Sequence, residues 1–127
     1  GIIPLREYAK MPYDRDILVR LIVKKEAASF DYQSVRNTQT DFPVLTCAAA
    51  KTEAGYRFAI GARPGKAVLF ELSNEDMKDK NVENIAEYAA KCVKEQIVTG
   101  SNTRGSAEYR NHLAGVLVRR AVCKFGE

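Results

Sequence analysis

The side chains able to do chemistry are few and scattered. Three cysteines, Cys47, Cys92 and Cys123, stand far apart, each inside an apolar stretch. An odd number at such separations offers neither a closed disulfide framework nor metal-ligand spacing, so three buried free thiols are expected. His112 is the single histidine, which leaves a histidine-based triad or a multi-histidine metal site almost nothing to work with. It reads as a polar position on a helix. Glu75 and Asp76 are adjacent carboxylates at the start of a helical stretch, where the helix dipole favours negative charge without any catalytic role. The segment GARPGK, residues 61–66, lacks the GxGxxG or GxxxxGK spacing and the strand-to-helix context of a phosphate loop, and reads as a turn.

Cations gather near the C-terminus: Arg104, Arg110, Arg119, Arg120 and Lys124. Tyr109 is the one aromatic side chain among them, and cations in the last turns of a helix complement its dipole, so nucleic acid is not an expected partner. Arg110 stands apart because it follows Tyr109 in the first turn of the helix, where a guanidinium can reach a carboxylate in a neighbouring loop. Asp41 is the expected partner, so Tyr109, Arg110 and Asp41 are structural candidates that hold the loop of residues 30–42 against the last helix. No residue is assigned a catalytic role, and none a metal.

These side chains need a scaffold, and the chain can build one. Its 127 residues, 46% hydrophobic and 28% charged, suit one domain with its own core. The net charge of +4 is carried among 16 acidic residues and describes an ordinary solvated surface as readily as an anion-binding one. Neither an apolar run of about 18 residues nor a signal-peptide pattern is present, so the expectation is a cytoplasmic protein without a membrane partner.

Residues 1–16, with two prolines and no clean period, read as a lead-in from a preceding region, and 17–127 as the domain proper. Ile17–Val23 (ILVRLIV) suits a first strand. Residues 24–42 show no period and read as a structured loop. A second strand is expected at about 43–52, apolar at nearly every position as though buried on both faces. Tyr56, Phe58 and Ile60 alternate with Arg57, Ala59 and Gly61, the period of a third strand, and AVLFEL follows the RPGK turn as a fourth. Connections this short exclude parallel neighbours. Beyond Ser73, Ile85, Tyr88, Ala89, Cys92, Val93 and Ile97 repeat at helical spacing behind a possible Asn81 cap. Tyr109, Leu113, Val116, Leu117 and Ala121 then form a second stripe, closed by Gly126. The fold class is α+β: a mainly antiparallel sheet of three to four strands followed by helices on one face.

Three segments carry a family resemblance. TRGSAEYRNHLAGVLVRRAV, residues 103–122, is similar to the RxSAxYRxxLxxxLxxRA segment that ends the flavin-binding subunits of xanthine and carbon monoxide dehydrogenase-like enzymes. YQSVRNTQTDFPVLTCAAA, residues 32–50, resembles that family's YxKVxRTxxDFPxVxVA and keeps Tyr32, Val35, Thr38, Asp41, Phe42, Pro43 and Ala48 in register. DILVRLIV, residues 16–23, resembles the strand ExLxxIxI. The resemblance implies the C-terminal domain of the FAD-binding subunit of a molybdenum hydroxylase. In such enzymes FAD passes electrons from iron-sulfur clusters to an acceptor such as NAD, and a molybdopterin subunit hydroxylates the substrate.

The implied partners are the N-terminal FAD-binding part of the same subunit, the molybdopterin subunit and the iron-sulfur subunit. The family holds the FAD pyrophosphate in a glycine-rich loop that these residues do not contain, so the chain by itself is expected neither to retain FAD nor to be active, and its uncovered apolar surface is expected to favour self-association. Two flavin-side positions carry over as cofactor-binding candidates: Leu18, the leucine of the first strand, and Ser34, which stands where the family has a lysine. Asn37 replaces the family's arginine. A hydroxyl can hydrogen-bond a flavin edge but brings no charge to an anionic ring. These losses also support an alternative, a stand-alone non-catalytic interaction module of the same fold.

Overall fold

The computed structural model describes residues 1–12, 16–25 and 28–126. Seven elements follow in order: α1 (Leu5–Tyr8), β1 (Ser29–Val35), β2 (Leu45–Thr52), β3 (Gly55–Gly61), β4 (Val68–Ser73), α2 (Val82–Gln96) and α3 (Ala107–Lys124). The strands form one antiparallel sheet in the order β1-β2-β3-β4. Two helices then cover one of its faces, α3 over β2 and α2 against β4, with the helices packed on each other. The α+β expectation therefore holds, as does the antiparallel sheet.

The alternation of β3 decides which face is buried. Tyr56, Phe58 and Ile60 point toward the helices with Cys47 and Ala49 of β2 and Phe70 and Leu72 of β4. Phe58 stacks between Tyr56 and Phe70, with ring centroids 6.1 and 5.7 Å away. The core is completed by Ala86, Ala89 and Val93 of α2 and by Leu113, Ala114, Leu117, Val118, Ala121 and Val122 of α3. At about 25 cal/mol per Å² of apolar area removed from water, this layer is the main stabilising term of the domain.

Both of the covering helices, α2 and α3, start on a side-chain cap. The Asn81 carboxamide oxygen accepts from the Asn84 amide at 2.8 Å, as its position in the sequence suggests, and the Ser106 hydroxyl accepts from the Tyr109 amide at 3.1 Å. The two helices pack tightly at Gly115, where a β-carbon would lie 3.2 Å from the Ala90 carbonyl and inside the Lys94 side chain. The hairpin between β2 and β3 turns on Gly55 at φ +133°, where a side chain would strike the Leu72 carbonyl.

The beginning of the sheet departs from expectation. Ile17–Val23 is not a strand of this sheet: residues 16–25 carry no regular structure, and Ile17, Leu18, Val19, Leu21, Ile22 and Val23 are all exposed. Part of the expected lead-in, residues 13–15, lies outside the described residues. The first strand is instead β1, inside the stretch read as a loop. Its period of two was hidden because its polarity is inverted: Asp31 and Gln33 point inward, while Phe30 and Tyr32 point out.

Inward polarity is tolerated because it is bonded. The Asp31 carboxylate accepts from Lys124 at 2.5 Å and from Gln33 at 2.7 Å, and Gln33 also donates to the Leu117 carbonyl. β2 is not buried on both sides either. It alternates, with Leu45, Cys47 and Ala49 inside and Ala48 exposed.

Candidate functional site: the open sheet face and the loop end

The face of the sheet turned away from α2 and α3 is made of small residues with a few large ones at the sides. The strand register sets three rows across it. Ser34, Thr46 and Gly61 form the first, Tyr32, Ala48, Ala59 and Leu69 the second, and Phe30, Ala50, Arg57 and Glu71 the third. Gly61 belongs in its row because a β-carbon there would lie 2.6 Å from the Thr46 hydroxyl. Phe30, Tyr32 and Leu69 are exposed large hydrophobics. The cation of the third row is spoken for: Glu71 forms an ion pair with Arg57 at 3.2 Å and accepts a hydrogen bond from Arg6 at 2.7 Å. What remains is a mainly apolar face with two hydroxyl-bearing residues, Ser34 and Thr46, at one end.

Three connections meet at the Ser34 end of the sheet: residues 36–44 between β1 and β2, 62–67 between β3 and β4, and 97–106 between α2 and α3. Their junction is Arg110, fully buried at 0% exposure and, taking each residue as a whole, the sole buried charged one among the described residues. Its Nε donates to the Val44 carbonyl at 2.8 Å, one terminal nitrogen to the carbonyls of Gly100 and Gly105, and the other to the Asn102 side-chain oxygen. Four neutral oxygens thus replace a counter-ion. Burial, and then the charge of Arg104 nearby, lowers the pKa of Arg110 from its usual value.

The expected pairing of Arg110 with Asp41 is therefore wrong. Asp41 pairs with Arg104 instead, Nε and one terminal nitrogen each 2.9 Å from the same carboxylate oxygen, which also caps the Phe42 amide at 2.7 Å. These bonds, with the Arg104 hydrogen bond first, hold the Asp41 carboxyl below the usual carboxylate range. Both arginines were visible near the start of the last helix. Only Arg110 has a helical position facing the interior, and a fully buried arginine fork is best satisfied by convergent carbonyls, which no sequence motif announces. The clamp between loop and helix nevertheless exists. Arg104–Asp41 closes it from outside and Arg110–Val44 from within, and Asn37 adds a bond from its side-chain nitrogen to the Arg104 carbonyl.

The remaining candidates fall in different places. Ser34 lies exposed on the open face, beside Thr46. Leu18 is 64% exposed in the segment before the sheet, and nothing in the described structure brings it to Ser34. Tyr109 contributes its amide to the Ser106 cap while its ring stays partly exposed. His112 is an exposed helix position. Of the three thiols, Cys47 is buried and Cys92 and Cys123 are only partly so, so the expectation of three buried thiols holds for one. Burial, and then the charge of Asp31, pushes the Cys47 thiol up to about 12. Among the described residues no group of three or more His, Cys, Asp or Glu could hold a metal.

An antiparallel sheet with its helices on one face, a clamped loop beside the open face, and the SAEYR helix make up this domain. Residues 30–125 match the family described as the CO dehydrogenase flavoprotein C-terminal domain. The chain belongs to that family.

The uncharacterized protein YgfM of Escherichia coli (strain K12) is 30% identical over 115 residues, which is 90% of this chain and 42% of YgfM. Among solved structures, quinoline 2-oxidoreductase from Pseudomonas putida 86 superposes with a TM-score of 0.62 at 21% identity, covering 78% of this chain and 37% of that one. A Cu,Mo-CO dehydrogenase superposes with a TM-score of 0.60 at 18% identity, covering 77% and 36%. The carbon monoxide dehydrogenase of Hydrogenophaga pseudoflava gives 0.56 at 17%, covering 76% and 36%. The chain thus spans well under half the length of the relatives it matches. The match begins at Phe30, so the exposed run 17–23 precedes the matched domain.

Proposed function

We propose that this domain forms one wall of the flavin cleft in the FAD-binding subunit of a molybdenum hydroxylase, where FAD carries electrons from iron-sulfur clusters to an acceptor such as NAD. The observation that carries the reading is the open sheet face, whose apolar shelf ends at Ser34 and Thr46 beside the clamped loop. In this reading the shelf excludes water from one side of the flavin ring, and the two hydroxyls can hydrogen-bond its polar edge. FAD supplies the redox chemistry when bound.

The fit is one-sided. The chain has ring-sized apolar surface and hydroxyl donors but no glycine-rich loop for a pyrophosphate, so cofactor affinity must come from the N-terminal part of the subunit. The run Ile17–Val23, exposed here and rich in strand-forming residues, is the natural candidate to pair with that part. Molybdopterin and iron-sulfur subunits are the further partners in this reading, and a cytoplasmic location suits such a complex. No helix among the described residues is long and apolar enough to cross a membrane.

The test compares flavin retention with and without the preceding region. The longer protein is expected to purify with FAD absorbance, and the 127-residue chain without it. Stoichiometric FAD on the shorter chain would refute the one-sided fit, and a colourless longer protein that also fails to bind added FAD would refute the flavin role. Ser34→Lys, placing a cation beside the ring, is expected to raise the flavin reduction potential in the longer protein.

A further inference from the structure

The loop end carries charge that its own structure does not neutralise. Across residues 36–44, 62–67 and 97–106 stand Arg36, Arg63, Lys66 and Arg104 against a single carboxylate, Asp41, and Asp41 is engaged by Arg104. Arg36 donates to the Asp41 carbonyl at 2.6 Å, Arg63 to the Lys66 and Val98 carbonyls, and Lys66 to the Met11 carbonyl at 2.6 Å. These contacts orient the cations and leave their charge in place. Beneath them lies Arg110, also held by neutral oxygens alone.

The same end exposes apolar groups between the cations. Phe42 is 74% exposed with the Arg104 guanidinium 5.3 Å from its ring centroid, Val98 is 77% exposed beside Arg63, and the ring of Tyr109 is partly open next to Gly105. Val98 lines an open depression of about 300 Å³ together with Arg63, Val68, Leu69, Phe70 and Ile97. Aromatic residues and arginines set on hydrogen-bonded loops are the composition of a protein-binding hot spot. A polyanion-binding stripe would show a run of lysines and arginines along one track, and this surface does not.

We propose that the loop end of this domain is a docking surface for an acidic protein segment that sets apolar side chains against Phe42 and Val98 and carboxylates against Arg36, Arg63 and Arg104. The apolar contact supplies affinity. The excess positive charge speeds encounter and selects acidic partners over neutral ones. The docking surface is the loop end, and the flavin shelf proposed above is the sheet face that adjoins it at Ser34.

Fluorescence anisotropy tests it on the protein with three probes: a labelled peptide of glutamates surrounding phenylalanine and leucine, the same peptide with glutamines for glutamates, and polyuridylate RNA. The acidic peptide is expected to bind, to weaken about tenfold with Phe42→Ser, to weaken with Arg36→Gln, and to lose affinity as salt rises. The glutamine peptide is expected to bind far more weakly, and Arg119→Gln, on an exposed turn of α3 away from the loops, to change nothing. Circular dichroism checks that the variants are folded, and Arg36→Gln carries the test if Phe42→Ser is not. Absence of acidic-peptide binding would overturn the proposal. So would equal binding of the two peptides, or RNA binding at least as tight and indifferent to Phe42.

Discussion

The Arg110 guanidinium donates through Nε to the carbonyl of Val44, 2.8 Å away, and so joins the first turn of the last helix to the residue that leads into β2. Removing the guanidinium leaves the carbonyls of Val44, Gly100 and Gly105 and the Asn102 side chain without that donor. Arg110→Met is expected to destabilise the domain by about 3 kcal/mol, since a buried charge-assisted network is being opened. Arg110→Lys should recover little, because an ammonium cannot reproduce the planar fork. Thermal unfolding of the two variants measures this, and a melting temperature equal to the parent's in either would show that the network does not hold the loops.

The outer clamp behaves differently. Arg104 and Asp41 are each about one-third exposed, so their attraction is screened by water and salt. Asp41→Asn is expected to lower the melting temperature far less than Arg110→Met while making residues 36–44 more sensitive to limited proteolysis. Equal melting losses in the two variants would remove the distinction between inner and outer clamps.

Asp31 predicts an acid limit to stability. The Lys124 hydrogen bond, ahead of those from Gln33 and the Tyr32 amide, holds its carboxyl below the usual value, and burial opposes this only in part. A carboxyl whose folded pKa is depressed contributes stability in full above its unfolded value and loses it as pH falls through the folded one. The contribution is therefore present at neutral pH and disappears below roughly pH 4. Asp31→Asn should flatten the fall in melting temperature across that acid range, and an unchanged slope would show that the pair is not linked to folding.

The thiols separate by burial. Cys47, inside the sheet–helix layer and pushed up to about 12, is expected to stay unmodified by a thiol reagent at pH 8 until the domain unfolds. Cys92 and Cys123, only partly buried, are expected to react in the native state. Mass spectrometry of alkylated peptides with and without denaturant assigns each one.

Gly115 sets the spacing of the two helices. A β-carbon there would press on the Ala90 carbonyl at 3.2 Å and displace the Lys94 side chain. Gly115→Val is expected to cost about 1–3 kcal/mol through overpacking, measured by urea unfolding. An unaffected midpoint would mean that α2 and α3 separate freely.

Much of this architecture is legible in the sequence because alternation and helical spacing follow burial. Tyr56, Phe58 and Ile60 mark the inner face of β3, and Ala89, Val93, Leu113, Leu117 and Ala121 mark the helix faces over it. Reading fails where tertiary contacts override pattern. β1 hides because Asp31 and Gln33 find partners on α3. Ile17–Val23 has the composition of a strand, yet it lies outside the sheet and before the matched family domain. Arg110 misleads because its preferred acceptors are backbone carbonyls, which every residue has. The open face was legible only indirectly, in the small outward residues of β2, since a shelf shows itself once the register lines Ala48 up with Tyr32 and Ala59.

The inverted strand also has a dynamic consequence. β1 lies at the edge of the sheet and attaches to α3 through the bonds of Asp31 and Gln33, whereas β3 is fixed by a stack of aromatic rings. Detaching β1 breaks polar contacts that water can replace and exposes little of the apolar layer. Its amides should exchange with solvent through a local opening of lower free energy than the unfolding that releases β3, so that this edge can open while the layer behind it stays closed.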